Sequence, residues 1–335
     1  MRAVLTIGHG GREMLEPVTD HPVPVAGPGD VVVRVAATAL NYHDIFTRRG
    51  MPGITIPLPV IVGSDIAGTI DSIGDSVSGW TVGDRVLVDP VILGERPVMI
   101  GETMDGGRAE LVRVPAGQLL AVPDGVDLDA AAALPLAYGT AHRMMMTRGK
   151  IAAGETVLVL GASGGVGAAC VQLAKLAGAQ VVACASSTAK LDRLAAIGAD
   201  HLIDYSKTDI VSAVKAIFGK PRLSGEGGVD VAVNFTGGDT WEATQRCLSK
   251  GGRMLNCGAT AGYSVTTDLR YLFSFEQQMI GSDGWHSEDL TSLLSMLADG
   301  RLAPLIDCRL PLEEAAEAER ILEDREVVGK VLLKL

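Results

Sequence analysis

Residues Thr156-Val157-Leu158-Val159-Leu160 run directly into Gly161-Ala162-Ser163-Gly164-Gly165-Val166-Gly167, and the chain then takes up helical spacing. Strand, glycine-rich turn and helix in that order suit a dinucleotide. The first N–H groups of a helix lack intrahelical partners and lie at the positive end of its dipole, so a pyrophosphate is stabilised there. Glycines let the backbone turn tightly, approach the phosphates and pack the helix on the strand. A second set of residues able to do chemistry lies near the N-terminus, in Asn41-Tyr42-His43-Asp44, where an imidazole that titrates near neutral pH is flanked by a phenol and a carboxylate.

The glycine turn predicts a dinucleotide, and the end of the next strand bears on which one. NAD-binding turns place an acid about 20 residues beyond the glycines to hold the ribose 2′-hydroxyl. Here that place is Ala185, followed by Ser186 and Ser187, with Lys190 one helical turn on. No carboxylate would repel a 2′-phosphate, and the hydroxyls and the ammonium can donate to it, so NADPH is expected. The simpler alternative is that Ser187 or Thr188 caps the next helix and Lys190 is a solvated surface charge.

The elements that must position these groups fall into two kinds. In the first third of the chain, short apolar runs (Val31 to Ala37, Ile61 to Ile73, Arg85 to Asp89, Ala109 to Val114, Leu119 to Val122) are punctuated by Gly, Pro and Asp, which predicts an all-β domain. From about residue 127 an Ala-rich helix (Asp129 to Met146) leads into alternating strands and helices: strand Val181 to Ala185, helix Thr188 to Ile197, strand His201 to Asp204, helix Asp209 to Phe218, strand Val229 to Phe235, helix Trp241 to Leu248, and strands Arg253 to Cys257 and Gln278 to Ser282. Alternation of this kind requires parallel strands with helical crossovers, so the expected fold class is α/β, a doubly wound parallel sheet beside a β-rich domain. Helices Glu288 to Leu297 and Leu312 to Glu323 and a strand Val327 to Leu335 close the chain. The expected domains are 1–123, 124–284 and a return segment, 285–335.

The chain has 335 residues, nearly half of them apolar, and a formal net charge of −11. The acidic balance opposes nucleic acid or an anionic membrane as partner. No run approaches the ~20 apolar residues of a membrane span, so a cytoplasmic protein is expected. Cys170, Cys184, Cys247, Cys257 and Cys308 are odd in number and form no C-x-x-C pair, which suggests neither a disulfide framework nor a zinc knuckle.

With Asn41-Tyr42-His43-Asp44, Gly63-Ser64-Asp65-Ile66-Ala67-Gly68, Gly83-Asp84-Arg85-Val86, Gly107-Arg108-Ala109-Glu110, Ala133-Leu134-Pro135, the glycine turn and the closing Gly329-Lys330-Val331-Leu332-Leu333, the whole chain resembles the medium-chain dehydrogenase/reductase superfamily. Within it the chain is most similar to the zinc-free quinone oxidoreductase, or zeta-crystallin-like, branch. The resemblance implies a GroES-like catalytic domain and a Rossmann domain. The short-chain family fits poorly, because no tyrosine has a lysine four residues on. Zinc alcohol dehydrogenases hold their catalytic ion with Cys, His and Cys; the matching positions here carry Asn41, Ser64 and about Leu136, and the structural-zinc lobe is replaced by a cysteine-free stretch, Val91 to Pro97. Zinc prefers thiolate, imidazole or carboxylate, so no metal is expected. An unactivated ketone exchanges hydride poorly without a Lewis acid, whereas a quinone or α,β-unsaturated carbonyl delocalises the arriving charge. The expected reaction is therefore reduction of such acceptors by NADPH. Alternatives are an alcohol dehydrogenase or enoyl-thioester reductase of the same fold, and a low-turnover NADPH-binding or sensor protein.

The resemblance also implies site residues. Tyr205 joins Ser186, Ser187 and Lys190 at the 2′-phosphate; Asn41 lies by the nicotinamide ribose and Thr140 by the nicotinamide; Thr236, Gly237, Cys257 and Gly258 lie at strand ends, where open α/β sheets bind ligands; Gly329 and Lys330 approach the cofactor. Catalytic candidates are His43, with Tyr42 and Asp44 beside it. An ordinary hydrogen-bonded histidine, with solvent as the proton source, is the alternative, and Asp44 reads equally well as a structural acceptor. Met51-Pro52-Gly53-Ile54 and Gly284-Trp285-His286 are candidate rim loops for a flat hydrophobic acceptor. The strand Gln278 to Ser282 resembles the segment that pairs two subunits, so a homodimer is expected.

Overall fold

The computed structural model describes residues 1–94 and 97–335; of the stretch read as replacing a structural-zinc lobe, Glu95 and Arg96 lie outside the described residues. The chain forms two compact units, residues 1–137 with 287–335, and residues 138–286.

The first unit is built on a seven-stranded sheet in the order Leu119–Ala121, Arg85–Val88, Asp65–Ile73, Asp30–Ala39, Lys330–Lys334, Ile306–Pro311, with Leu111–Pro115 also paired to Asp30–Ala39. Alternate residues of these strands, among them Val31, Val33, Val35, Ile66, Ile70, Val86 and Val88, form one buried cluster, as the two-residue period of strand side chains dictates. Lys330–Lys334 runs antiparallel to Asp30–Ala39, which ties the chain's last segment into the first unit. Residues 124–137 belong here too, later than the expected boundary at 123. The reason is ionic and polar: Asp129 on helix Leu128–Ala132 pairs with Arg309 and Lys334, and Leu136 N donates to Asp65 Oδ1 at 2.8 Å. The single helix expected over 129–146 is instead α-helical only at 128–132 and 140–142, with wider i→i+5 turns over 134–139 and 143–148.

The domain expected to be all-β contains a helix, Tyr42–Arg49. Its start is fixed by Asn41, whose N–H donates to the Asp44 carboxylate three residues on at 3.0 Å. Its end carries Arg48, which is fully buried. Arg48 donates to Glu319 at 2.7 Å and Glu323 at 2.8 Å on helix Ala315–Glu323, and Arg108 donates to Glu319 at 2.6 Å and Asp44 at 3.3 Å. Arg48, Arg108, Asp44 and Glu319 are all removed from solvent.

The second unit is a six-stranded sheet, entirely parallel, in the order His201–Asp204, Gln180–Ala185, Thr156–Val159, Val229–Val233, Leu248–Asn256, Gln278–Gly281. Its strands are near-continuous apolar runs because helices cover both faces. Helix Gly165–Leu176 follows the glycine turn, and Thr188–Ala196 and Ile210–Phe218 follow as anticipated. Helix Leu269–Ser274, not foreseen, precedes the edge strand. Among the described residues no helix is long and apolar enough to cross a membrane.

Burial alone would raise the Glu319 carboxyl pKa, but Arg108 and Arg48 bring it below the ordinary value. Its stabilisation is therefore complete above the unfolded carboxylate pKa and is lost as pH falls through the lower folded value. Glu319→Gln leaves two buried guanidinium groups short of charge, and urea unfolding of the variant is expected to show a loss of about 3–5 kcal/mol at pH 7. The deficit against wild type should narrow as the pH is lowered below about 4; a constant deficit would show that the ion pairs contribute nothing.

Candidate functional site

In the second unit the glycine turn forms a cradle. Gly161 has φ +61°, and Gly164 N donates back to Gly161 O at 3.1 Å. A Cβ on Gly167 would lie 2.3 Å from Gly161 O and 2.6 Å from Ala162 Cα, so only glycine lets the helix close on the strand end. No side chain caps the helix at Gly164, which leaves the N–H groups at residues 165–167 for an anionic ligand. Ala162 is buried and its N–H donates to Cys184 O, while Ser163 and Val166 are half-buried on the turn. These residues fit the pyrophosphate of a dinucleotide.

Parallel pairing sets Ala185 opposite Asp204, so Ser186, Ser187 and Tyr205 leave adjacent strand ends. Ser187 does cap helix Thr188–Ala196, accepting from Lys190 N at 3.4 Å. Capping engages the Ser187 hydroxyl, and Ser186 and Lys190 lie at the same strand end. Asp204 is held by Ser206 and by Lys207 at 2.9 Å, which lower its pKa. Lys207 Nζ also reaches Thr188 Oγ1 at 3.4 Å, a second ammonium by this strand end that sequence reasoning did not single out.

The next two strand ends are shaped by asparagines. Buried Asn234 accepts from Thr236 N and Gly237 N, each at 3.0 Å, and donates to Thr244 Oγ1 at 2.9 Å. Asn256 donates to Asn234 O at 2.8 Å and Gly258 O at 2.7 Å. Thr236, Gly237, Cys257 and Gly258 thus stand together at the carboxyl edge of the sheet, where ligands of such sheets bind. The Cys257 thiol is pushed up to about 12 by burial, so it is no nucleophile at neutral pH. Thr140 is buried at the start of its helical turn.

In the first unit, Lys330 lies among the residues that match the metal-ligand positions of zinc dehydrogenases, where no metal was expected. Its ammonium donates to Leu40 O at 2.9 Å, to Asp65 Oδ2 at 2.9 Å and to Asn41 Oδ1. All three ammonium protons are taken, so Lys330, expected to approach the cofactor, is committed within its own unit. Gly329 (φ +96°) packs so closely that a Cβ would lie 2.0 Å from Leu305 O. Asn41, Ser64 and Leu136 offer no thiolate, imidazole or carboxylate, and the neighbouring carboxylate of Asp65 already holds an ammonium. This donor set does not fit zinc. Among the described residues no three His, Cys, Asp or Glu side chains converge as metal ligands.

His43 lies in the first turn of helix Tyr42–Arg49, and its Nε2 is hydrogen-bonded to Glu102. Burial works against charge on this ring, but Glu102, Asp44 and Asp65 outweigh it and hold its pKa above 6.5. Glu102 carried no local motif and was missed. Asp44, a catalytic candidate, is fully buried and binds Asn41 and Arg108, so it is a scaffold acceptor that a substrate could not reach; burial raises its pKa despite Arg108. Tyr42 packs edge-on against Phe46, ring centres 5.4 Å apart. Of the expected rim loops, Ile54 is exposed and Met51 packs against buried Ile56, Val60 and Val62, while Trp285 is half-buried.

Residues 27–124 match the profile of the alcohol dehydrogenase GroES-like domain, and residues 165–299 match the zinc-binding dehydrogenase family. A quinone oxidoreductase of Rattus norvegicus is 30% identical, with 100% of this chain and 98% of the relative aligned. An acryloyl-coenzyme A reductase of Sulfurisphaera tokodaii is 29% identical over the full length of both. Among solved structures, one described as an NAD-dependent alcohol dehydrogenase superposes with a TM-score of 0.92 at 36% identity, covering 100% of both chains. With its GroES-like and Rossmann folds, the chain is a nicotinamide-dependent oxidoreductase that belongs to the medium-chain dehydrogenase/reductase superfamily, in its quinone oxidoreductase branch.

Proposed function

We propose that the protein reduces quinones or α,β-unsaturated carbonyl compounds with NADPH as hydride donor and without a metal ion. The observation that carries this reading is Lys330, whose ammonium is bonded to Asn41 and Asp65 where a zinc dehydrogenase would present its ligands. With no Lewis acid to hold a developing alkoxide, the acceptor must stabilise the charge by conjugation, and hydrogen-bond donors then suffice. When bound, NADPH supplies the hydride. The chain's own work is to hold the pyrophosphate on the glycine turn, to hold the 2′-phosphate through Ser186, Lys190 and Tyr205, and to return a proton to the reduced acceptor. The full-length similarity to an acryloyl-coenzyme A reductase favours an enoyl thioester as second reading, since that acceptor is conjugated too.

We also propose a homodimer in the cytoplasm. Strand Gln278–Gly281 ends the second unit's sheet, and the helix before it exposes Leu269 and Phe273. An uncovered apolar edge invites a partner strand, and a second copy offers a self-complementary one.

Stopped-flow oxidation of NADPH is the direct test. Turnover is expected with quinones and enals. Turnover with aldehydes alone would overturn the reading, enoyl thioesters alone would favour the second one, and no oxidation with any acceptor would point to a binding protein. Dialysis against a strong chelator should leave the rate unchanged, whereas loss restored by zinc would sink metal independence. For the cofactor, Lys190→Ala should weaken NADPH roughly tenfold and leave NADH unaffected, read by fluorescence titration. Equal affinities in wild type, unmoved by the substitution, would refute the preference. Light scattering should give twice the 34.8 kDa chain mass, falling to one chain mass in Phe273→Glu; a monomeric wild type would refute the dimer.

A further inference from the structure

We infer that Glu102 is the positioning residue of a His43–Glu102 pair that returns the proton to the reduced acceptor, with His43 Nδ1 as the donating atom. This rests on the reduction proposed above and assigns its proton donor.

The pair is assembled from segments 59 residues apart. His43 is placed by the helix start that Asn41 and Asp44 fix. Glu102 is placed by two glycines. A Cβ on Gly101 (φ +81°) would lie 2.5 Å from Gly63 C and 2.8 Å from Ser64 N, and one on Gly106 would lie 2.3 Å from Gly63 O and 2.5 Å from Gly101 Cα. Only glycine at both positions lets the 101–106 turn lie against Gly63. The turn is pinned by Glu102 N to Met99 O at 3.1 Å, Gly101 N to Met104 O at 2.9 Å and Gly106 N to Ile61 O at 2.7 Å.

Glu102 is only 7% exposed, and His43 is its sole hydrogen-bonding side-chain partner among the described residues. A buried carboxylate with one partner favours that partner's charged form. The His43 side chain keeps 27% exposure, and its Nδ1 makes no hydrogen bond among the described residues. One ring nitrogen is thus anchored while the other is left for a ligand, the arrangement that orients an acid–base imidazole.

The charges facing the ring are Glu102 from the 101–106 turn, Asp44 from its own helix and Asp65 from strand Asp65–Ile73. Asp44 is countered by Arg108, Asp65 by Lys330, and the helix N-terminus opposes a cation. Glu102 alone has no other ion-pair partner among the described residues. In the step, hydride leaves NADPH, which is oxidised to NADP⁺, and the acceptor is reduced to an enolate or hydroquinone anion. The Nδ1–H bond breaks as the proton passes to that anion, forming O–H or C–H. The neutral ring keeps its proton on Nε2, where it is donated to Glu102, and Nδ1 regains a proton from water.

The test pairs two measurements on the full-length protein. An NMR titration of the His43 ring without ligands should give a pKa above 6.5 in wild type, lower by about one unit or more in Glu102→Gln. In steady-state kinetics, kcat should fall as pH rises through the wild-type value, because the acid form is lost. Glu102→Gln should move that limb to lower pH and lower kcat about tenfold at pH 8 with little change in acceptor KM, Glu102→Asp should restore part of the loss, and His43→Gln should abolish the limb. An unshifted titration or limb in Glu102→Gln overturns the pair even though the protein is active. Wild type that fails to oxidise NADPH with every acceptor tried instead defeats the reduction, and the proton-transfer role with it.

Discussion

The first unit depends on four charges sealed from water: Arg48, Arg108, Asp44 and Glu319. Removing such groups from solvent costs several kcal/mol per ion, and the attraction between them offsets this only where geometry is good and remaining donors are filled. Here Arg48 bonds to Glu319, Glu323 and Gly10 O, and Arg108 to Glu319 and Asp44. The network contributes little net stability compared with an apolar core. Its effect is positional: helix Tyr42–Arg49 is attached at both ends, through Asp44 at its start and Arg48 at its end, so it cannot turn or slide. That fixes Asn41 and His43 within their unit.

Lys330 extends the same logic from scaffold to chemistry. An ammonium with all three protons bonded is a cation of fixed position and unit charge, and it cannot accept a lone pair from a substrate as a metal can. It neutralises Asp65, holds Asn41 in place and anchors the last strand to residues 40 and 65. The segment that closes the sheet therefore also sets the Asn41 and Asp65 side chains, and one residue couples completion of the fold to their placement.

The second unit was legible in the sequence because its features are local. The alternation of apolar runs and helical spacing, the glycines of the turn and the absence of an acid at 185–187 all act within a few residues, and the parallel sheet places their consequences at one edge. The first unit was only partly legible. Its strands were, but helix Tyr42–Arg49 was hidden because Asn41 and Asp44 read as reactive groups when their first task is to cap a helix. The Lys330 clamp and the Arg48–Glu319 pair join residues more than 250 positions apart, and no periodicity reports such a contact. Helix turns 134–139 and 143–148 were masked by alanine-rich composition, which does not distinguish i→i+4 from i→i+5 bonding.

Glycine acts differently in the two units. In the turn at 161–167 it frees N–H groups for a ligand, and the ligand's charge explains why the residues are needed. At 101 and 106 it lets one backbone segment touch another, and the consequence appears on a neighbour, Glu102, whose own type and spacing announce nothing. A carboxylate in that turn would be an ordinary surface acid if a Cβ held the segments apart. Its burial is created by close packing, which is why the backbone contacts, and not the types of the two residues, determine that His43 meets a carboxylate withdrawn from solvent.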